Sequence, residues 1–94
     1  MSSIRWSAPS RRDVADIASY LRKRDAEAAA AVVRTIRERA ALLVRHPFAG
    51  EPLGESALRK LSIGAYPYVL IYRTQGATVE ILRIHHTAQN WKFR

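Results

Sequence analysis

Residues 58–86 read LRKLSIGAYPYVLIYRTQGATVEILRIHH, and their patterning decides the architecture. Three runs rich in β-branched and aromatic residues, Leu58 to Ile63, Tyr68 to Arg73 and Thr78 to His86, are separated by Gly64-Ala65-Tyr66-Pro67 and Thr74-Gln75-Gly76-Ala77. Spacers this short, with glycine available for positive φ, predict a three-stranded antiparallel meander. Side chains alternate across a strand, so each run divides into two faces. A tight turn at Gln75-Gly76 sets Tyr72 opposite Val79, Leu70 opposite Ile81 and Tyr68 opposite Arg83. One face then carries Tyr68, Leu70, Tyr72, Ile81, Arg83 and His85; the other carries Val69, Ile71, Leu82 and Ile84. The second set is aliphatic and is expected under the helices, joined by Leu61 and Ile63. Lys60 and Ser62 then flank the tyrosines on an open face. Cations among ring surfaces suit single-stranded nucleic acid; strand tyrosines with a charged rim are the plainer alternative. A one-residue slip exchanges the faces.

Upstream of the meander the period changes from two to that of a helix. Val14, Ile17, Ala18 and Leu21 stand at i, i+3, i+4 and i+7, one face of an amphipathic helix. Ser7 or Ser10 can cap its start, Pro9 is tolerated in its first turn, and Ser10 with Asp13 is a weak capping box. Asp25 can cap a second, alanine-rich helix with a seam of Ala29, Val33, Ile36, Ala40 and Leu43, small enough for close approach to the first helix. Pro47 ends it. Residues 47–56 read as a loop, and Ile4 to Trp6 as a short N-terminal strand. The expected order is β–α–α–β–β–β, an α+β fold with an antiparallel helical hairpin packed on one face of the sheet, in a single domain spanning 1–94.

Bulk properties narrow the function classes. Among 94 residues 48% are hydrophobic, which supports a core, and the absence of cysteine excludes disulfides and thiolate metal sites. Sixteen Lys and Arg against eight Asp and Glu give a net charge of +8, which points to nucleic acid or an acidic protein as partner. No stretch has the length or apolarity of a signal peptide or membrane span, so a cytoplasmic protein without membrane contact is expected. His85 and His86 are adjacent on a strand and point to opposite faces, so no metal and no cofactor is expected. Glu80 and Arg73 read as a surface ion pair of little weight. Trp6 and Trp91 read as anchors for the termini, and His46 as a solvated loop residue.

Several segments together resemble the superfamily of ParE and RelE toxins, and the likeness covers nearly the whole chain. They are DVADIASYL with Ala15, Asp16, Ile17 and Tyr20; RHPFAGEPL with Pro47, Gly50 and Pro52; LRKLSIGAYPYVLIYR; and TVEILRIHH. The long helices make ParE-like members the nearer likeness. The resemblance implies the toxin of a type II toxin–antitoxin module, causing growth arrest and held in check by a cognate acidic antitoxin. ParE-like members inhibit DNA gyrase; RelE-like members cut mRNA in the ribosome. Arg59 matches the arginine that opens the family's first sheet strand after the helices, and Arg83 with His86 matches its closing Arg-x-x-His. Target binding is accordingly expected of Arg59, Tyr68, Tyr72, Arg83, His86 and Trp91.

Under the RelE-like alternative, phosphate cleavage by the adjacent 2′-hydroxyl needs proton transfer and cationic charge. Arg83, His86, Arg73, His85 and Lys60 are the candidates. RelE uses a C-terminal tyrosine that this tail lacks. A nucleic-acid-binding module without catalysis is the remaining alternative.

Overall fold

The computed structural model describes residues 3–88, so the expected anchor Trp91 lies outside the described residues. The elements are β1 (Ser3–Trp6), α1 (Ala8–Arg22), α2 (Ala26–Arg45), β2 (Glu51–Pro52), β3 (Arg59–Ser62), β4 (Tyr68–Gln75) and β5 (Thr78–His86). They build one five-stranded sheet in the order β1-β5-β4-β3-β2, antiparallel except for the parallel pair β1 and β5. Fold class and element order are as the sequence predicts. The added element is β2, a two-residue strand inside the expected loop.

Local chemistry accounts for both helices. Ser7 caps α1, its hydroxyl accepting the Ser10 amide at 3.1 Å, and Pro9 sits in the first turn. Asp25 caps α2 by accepting the amides of Glu27 and Ala28 at 3.0 and 3.2 Å. The buried positions of α2 are Ala29, Val32, Ile36, Ala40 and Leu43. Val32 thus replaces the expected Val33. This helix is contacted on two sides: Val32 and Ile36 meet the sheet, whereas Val33 faces the groove shared with α1.

The β4–β5 hairpin corrects the expected register. Gln75 pairs with Thr78, so the turn is Gly76-Ala77, with Gly76 at φ +60°. Tyr72 therefore faces Ile81, Leu70 faces Ile84 and Tyr68 faces His86. A bulge between Ile71 and Tyr72 leaves Leu82 as the extra residue and moves Ile84 onto the face of Leu70. The helix side of the sheet holds Leu61, Ile63, Tyr68, Leu70, Tyr72, Val79, Ile81 and Ile84. The tyrosines expected on an open face are thus in the core. Val69 and Ile71, expected under the helices, lie on the opposite face and are buried as well. Strand β4 is covered on both sides, and counting aliphatic residues could not tell which side the helices take.

The bulge region also fixes α1. Strand β1 stops at Trp6, leaving the far half of β5 without a strand on the side away from β4. The Ser7 amide reaches the Ile81 carbonyl at 3.0 Å, the Ser7 hydroxyl donates to the Leu82 carbonyl at 2.9 Å, and the Ile84 amide donates to the Asp13 carboxylate at 2.9 Å. Asp13 serves this edge, and its carboxylate is not the capping-box partner expected of it.

Candidate functional site

The sequence-selected residues separate into four groups. Tyr72 and Arg59 hold the segment between α2 and β2. The Tyr72 hydroxyl donates to the Pro47 carbonyl at 2.8 Å and accepts the Gly50 amide at 2.9 Å. Burial pushes its pKa above the ordinary 10, opposed by the Gly50 amide and by the Arg59 charge. Arg59 donates to the Gly50 carbonyl at 2.8 Å and lies 4.9 Å over the Phe48 ring. Gly50 is required by contact: a β-carbon there would stand 2.6 Å from the Lys60 carbonyl oxygen and 2.7 Å from Tyr72 Cε1.

Arg83 forms a two-pronged pair with Asp13, Nε to Oδ2 at 2.7 Å and Nη2 to Oδ1 at 3.1 Å. Its pKa is raised chiefly by that hydrogen bond. Because the same carboxylate takes the Ile84 amide, the pair locks α1 to β5. By register Arg83 lies opposite Ile71, on the face away from Tyr68 and Tyr72, so the expectation of a guanidinium beside the tyrosines gives way to this tether.

The outer sheet face carries Lys60, Arg73 and His85, in line with Ile71 and Val69. Arg73 pairs with Glu80 at 2.7 Å, directly opposite it in the ladder, and Arg5 is Glu80's partner on the other side. Lys60 is 4.0 Å from Glu51, long for a firm ion pair.

His86 belongs to the other side of the sheet. Its ring stands edge-on to Tyr68, centroids 5.3 Å apart, and its Nδ1 accepts the Ala88 amide at 3.0 Å, which places the ring proton of the neutral form on Nε2. Burial, then the neighbouring Tyr20, raises the Tyr68 pKa. Asp16, Tyr20, Arg24 and Tyr66 complete a cleft of about 590 Å³ around this pair. Asp16 and Tyr20 appeared in the sequence only as part of a helix pattern; Asp13 appeared only as a weak capping-box residue and Gly50 only as part of a loop pattern, because their partners are distant in sequence.

A larger groove of about 850 Å³ runs between α1 and α2. Its floor is Ala15, Ala18, Ala26, Ala30 and Val33, and Arg11, Arg22, Arg34 and Arg37 stand along it. The alanine spacing visible in α2 thus opens a shallow apolar channel with cationic edges, a surface suited to an acidic amphipathic helix.

Comparison with known proteins adds the family. The model of the ParE toxin of type II toxin–antitoxin systems, parDE, matches residues 4–91. The chain belongs to the ParE toxin family. A protein of Sinorhizobium fredii named as a candidate toxin, Y4kP, is 35% identical over 88 residues, covering 94% of this chain and 91% of the relative. A chain in the structure of the chromosomal ParDE system from P. aeruginosa superposes with a TM-score of 0.81 at 27% identity, over 92% of this chain and 96% of that one. The RelBE2 toxin–antitoxin complex of Mycobacterium tuberculosis contains a chain with the same fold, TM-score 0.67 at 24% identity over 90% of this chain and 96% of that one. The protein is therefore a toxin of the ParE/RelE superfamily. No helix among the described residues is long and apolar enough to cross a membrane.

Proposed function

We propose that this ParE-family toxin arrests growth by binding and inhibiting DNA gyrase, without hydrolytic chemistry of its own, and that an acidic antitoxin neutralises it. The observation that carries this reading is that both candidate arginines are engaged by carboxylates and that the two candidate histidines lie on opposite faces of the sheet. Arg83 is bound by Asp13, Arg73 by Glu80, and His86 lies across the sheet from Lys60 and His85. In-line cleavage needs cations and a proton-transfer pair converging on one phosphate. The likeness to a chain of the ParDE system supports the same reading.

Ribosome-dependent mRNA cleavage is the second reading, favoured by Lys60 and His85 sharing the outer face. Induction in cells, with plasmid supercoiling assayed beside mapping of transcript 5′ ends, separates the two. Loss of supercoiling activity with unphased transcript ends is expected. Codon-phased cleavage with normal supercoiling overturns the gyrase reading.

The antitoxin is assigned to the α1–α2 groove, where an apolar stripe meets alanine and carboxylates meet the flanking arginines. Ala30 is exposed on the groove floor. Ala30→Glu is expected to weaken antitoxin binding at least about tenfold while changing stability by roughly 0.5 kcal/mol or less. Titration calorimetry beside thermal melting measures both. Unchanged affinity removes the groove as the docking site.

A further inference from the structure

The Phe48 ring is the most exposed of the large hydrophobic side chains among the described residues, at 68%. Single apolar residues on a surface are ordinary; what sets Phe48 apart is how firmly its segment is held. The Tyr72 hydroxyl donates to the Pro47 carbonyl before it and accepts the Gly50 amide after it. The Ala49 amide bonds the His46 carbonyl at 3.0 Å, closing the turn that contains the ring. Arg59 completes the clamp. Its Nη1 donates to the Gly50 carbonyl at 2.8 Å and reaches the Phe48 carbonyl at 3.5 Å, while the guanidinium lies 4.9 Å from the ring centroid.

Folding gains little from this ring, because most of its surface stays in water. Binding gains more. A side chain already held in one place loses little entropy when a partner covers it, and aromatic rings beside arginines are the composition of interface hot spots. Exposed Arg45 and His46 precede Phe48 in the chain. The acid nearest to it in sequence is Glu51, which stands 4.0 Å from Lys60. The surroundings are cationic, as is the whole chain at +8. Arg45, Phe48 and Arg59 line neither the α1–α2 groove assigned to the antitoxin nor the cleft around Tyr68 and His86.

We propose that Phe48 is the anchor by which the toxin docks on its target protein, seated in an apolar pocket rimmed by carboxylates, and that Arg59 is a positioning residue that holds the ring ready. The target is gyrase on the reading of this chain as a gyrase inhibitor, on which the proposal rests. Arg59, whose hydrogen bonds stay inside the protein, thereby acts in target binding through Phe48.

Supercoiling of relaxed plasmid by purified gyrase tests this, beside titration calorimetry of the toxin against gyrase alone, duplex DNA alone and the antitoxin that co-purifies from the native locus. Phe48→Ala is expected to need at least about tenfold more toxin for half-inhibition, and to bind gyrase correspondingly more weakly. Its melting temperature should stay within about 2 °C of the parent, since an exposed ring contributes little to stability. Its affinity for the antitoxin should be unchanged. Arg59→Lys keeps the charge but loses the planar fork that stacks on the ring. Assayed below its melting point, it should weaken inhibition, and in the Phe48→Ala background it should add almost nothing. Full additivity there overturns its positioning role. Inhibition by Phe48→Ala equal to that of the parent overturns the anchor. An equal loss of antitoxin affinity, or toxin binding to DNA alone that depends on Phe48, also overturns it and gives the ring to the antitoxin or to nucleic acid. If the parent itself leaves supercoiling untouched, the gyrase reading fails first and the anchor on gyrase fails with it.

Discussion

Gly50→Ala is expected to destabilise the protein by about 3 kcal/mol, lowering its melting temperature by roughly 10–20 °C. The reason is space and not backbone conformation, since Gly50 has no positive φ. Its β-carbon would meet three atoms closer than van der Waals contact allows: the Lys60 carbonyl oxygen at 2.6 Å, Tyr72 Cε1 at 2.7 Å and the Tyr72 hydroxyl at 2.8 Å. The first belongs to the β3 backbone and cannot swing aside. Yielding by Tyr72 would break both bonds that its hydroxyl makes to the Pro47–Gly50 segment. Buried polar groups left unpaired cost about 1–3 kcal/mol in addition to the steric term.

Tyr72→Phe separates these contributions. It leaves the Gly50 amide and Pro47 carbonyl without their partner, and is expected to cost about 1–3 kcal/mol. In that background the Gly50→Ala penalty should shrink, because one clashing atom is gone and the hydrogen bonds are already lost. Thermal or urea unfolding of the two single variants and the double variant measures this. A Gly50→Ala melting point within about 2 °C of the parent, which corresponds to roughly 0.5 kcal/mol or less, would mean that the segment does not pack against β3 and β4 as described.

The sequence revealed periodicity, and periodicity was sufficient for the elements. The steps of three and four in α1, the alanine seam of α2 and the glycine-bounded runs of the meander each bury a face that local order dictates. Tertiary choices were less visible. Both faces of β4 are buried, so the alternation of Tyr68, Leu70 and Tyr72 with Val69 and Ile71 carried no information about which set the helices would cover. The bulge at Leu82 has no marker such as glycine, and it alone moved Ile84 to the helix side. Tyr72 looked like an exposed ring because its polar partner, the Gly50 amide, lies 22 positions away.

The candidate site was legible to a similar degree. The resemblance singled out Arg59, Arg83 and His86, and all three make defined contacts within the protein itself. A cation that ties two elements together and a cation that grips a target look alike in sequence. They differ by whether a carboxylate waits on a distant element, as Asp13 does 70 positions before Arg83.

Asp13 and Arg83 therefore give the second large effect. Asp13→Ala is expected to cost about 2 kcal/mol, because it removes the partner of the guanidinium and also orphans the Ile84 amide at an edge that β1 does not reach. Arg83→Ala should cost less, about 1 kcal/mol, since its side chain is 42% exposed and water screens the pair. The two losses overlap, so the double variant should be little worse than Asp13→Ala alone. Asp13→Asn retains an acceptor for the Ile84 amide while discarding the charge, and should fall between them. Denaturant unfolding of these variants gives the energies, and growth arrest assayed well below each melting point gives the function. If Arg83 acts mainly as a tether, arrest in the cold should survive Arg83→Ala and Asp13→Asn alike, and decline together as either variant is warmed. Loss of arrest in Arg83→Ala alone, with stability unchanged and Asp13→Asn fully toxic, would instead show the guanidinium acting on the target and the pair with Asp13 as incidental.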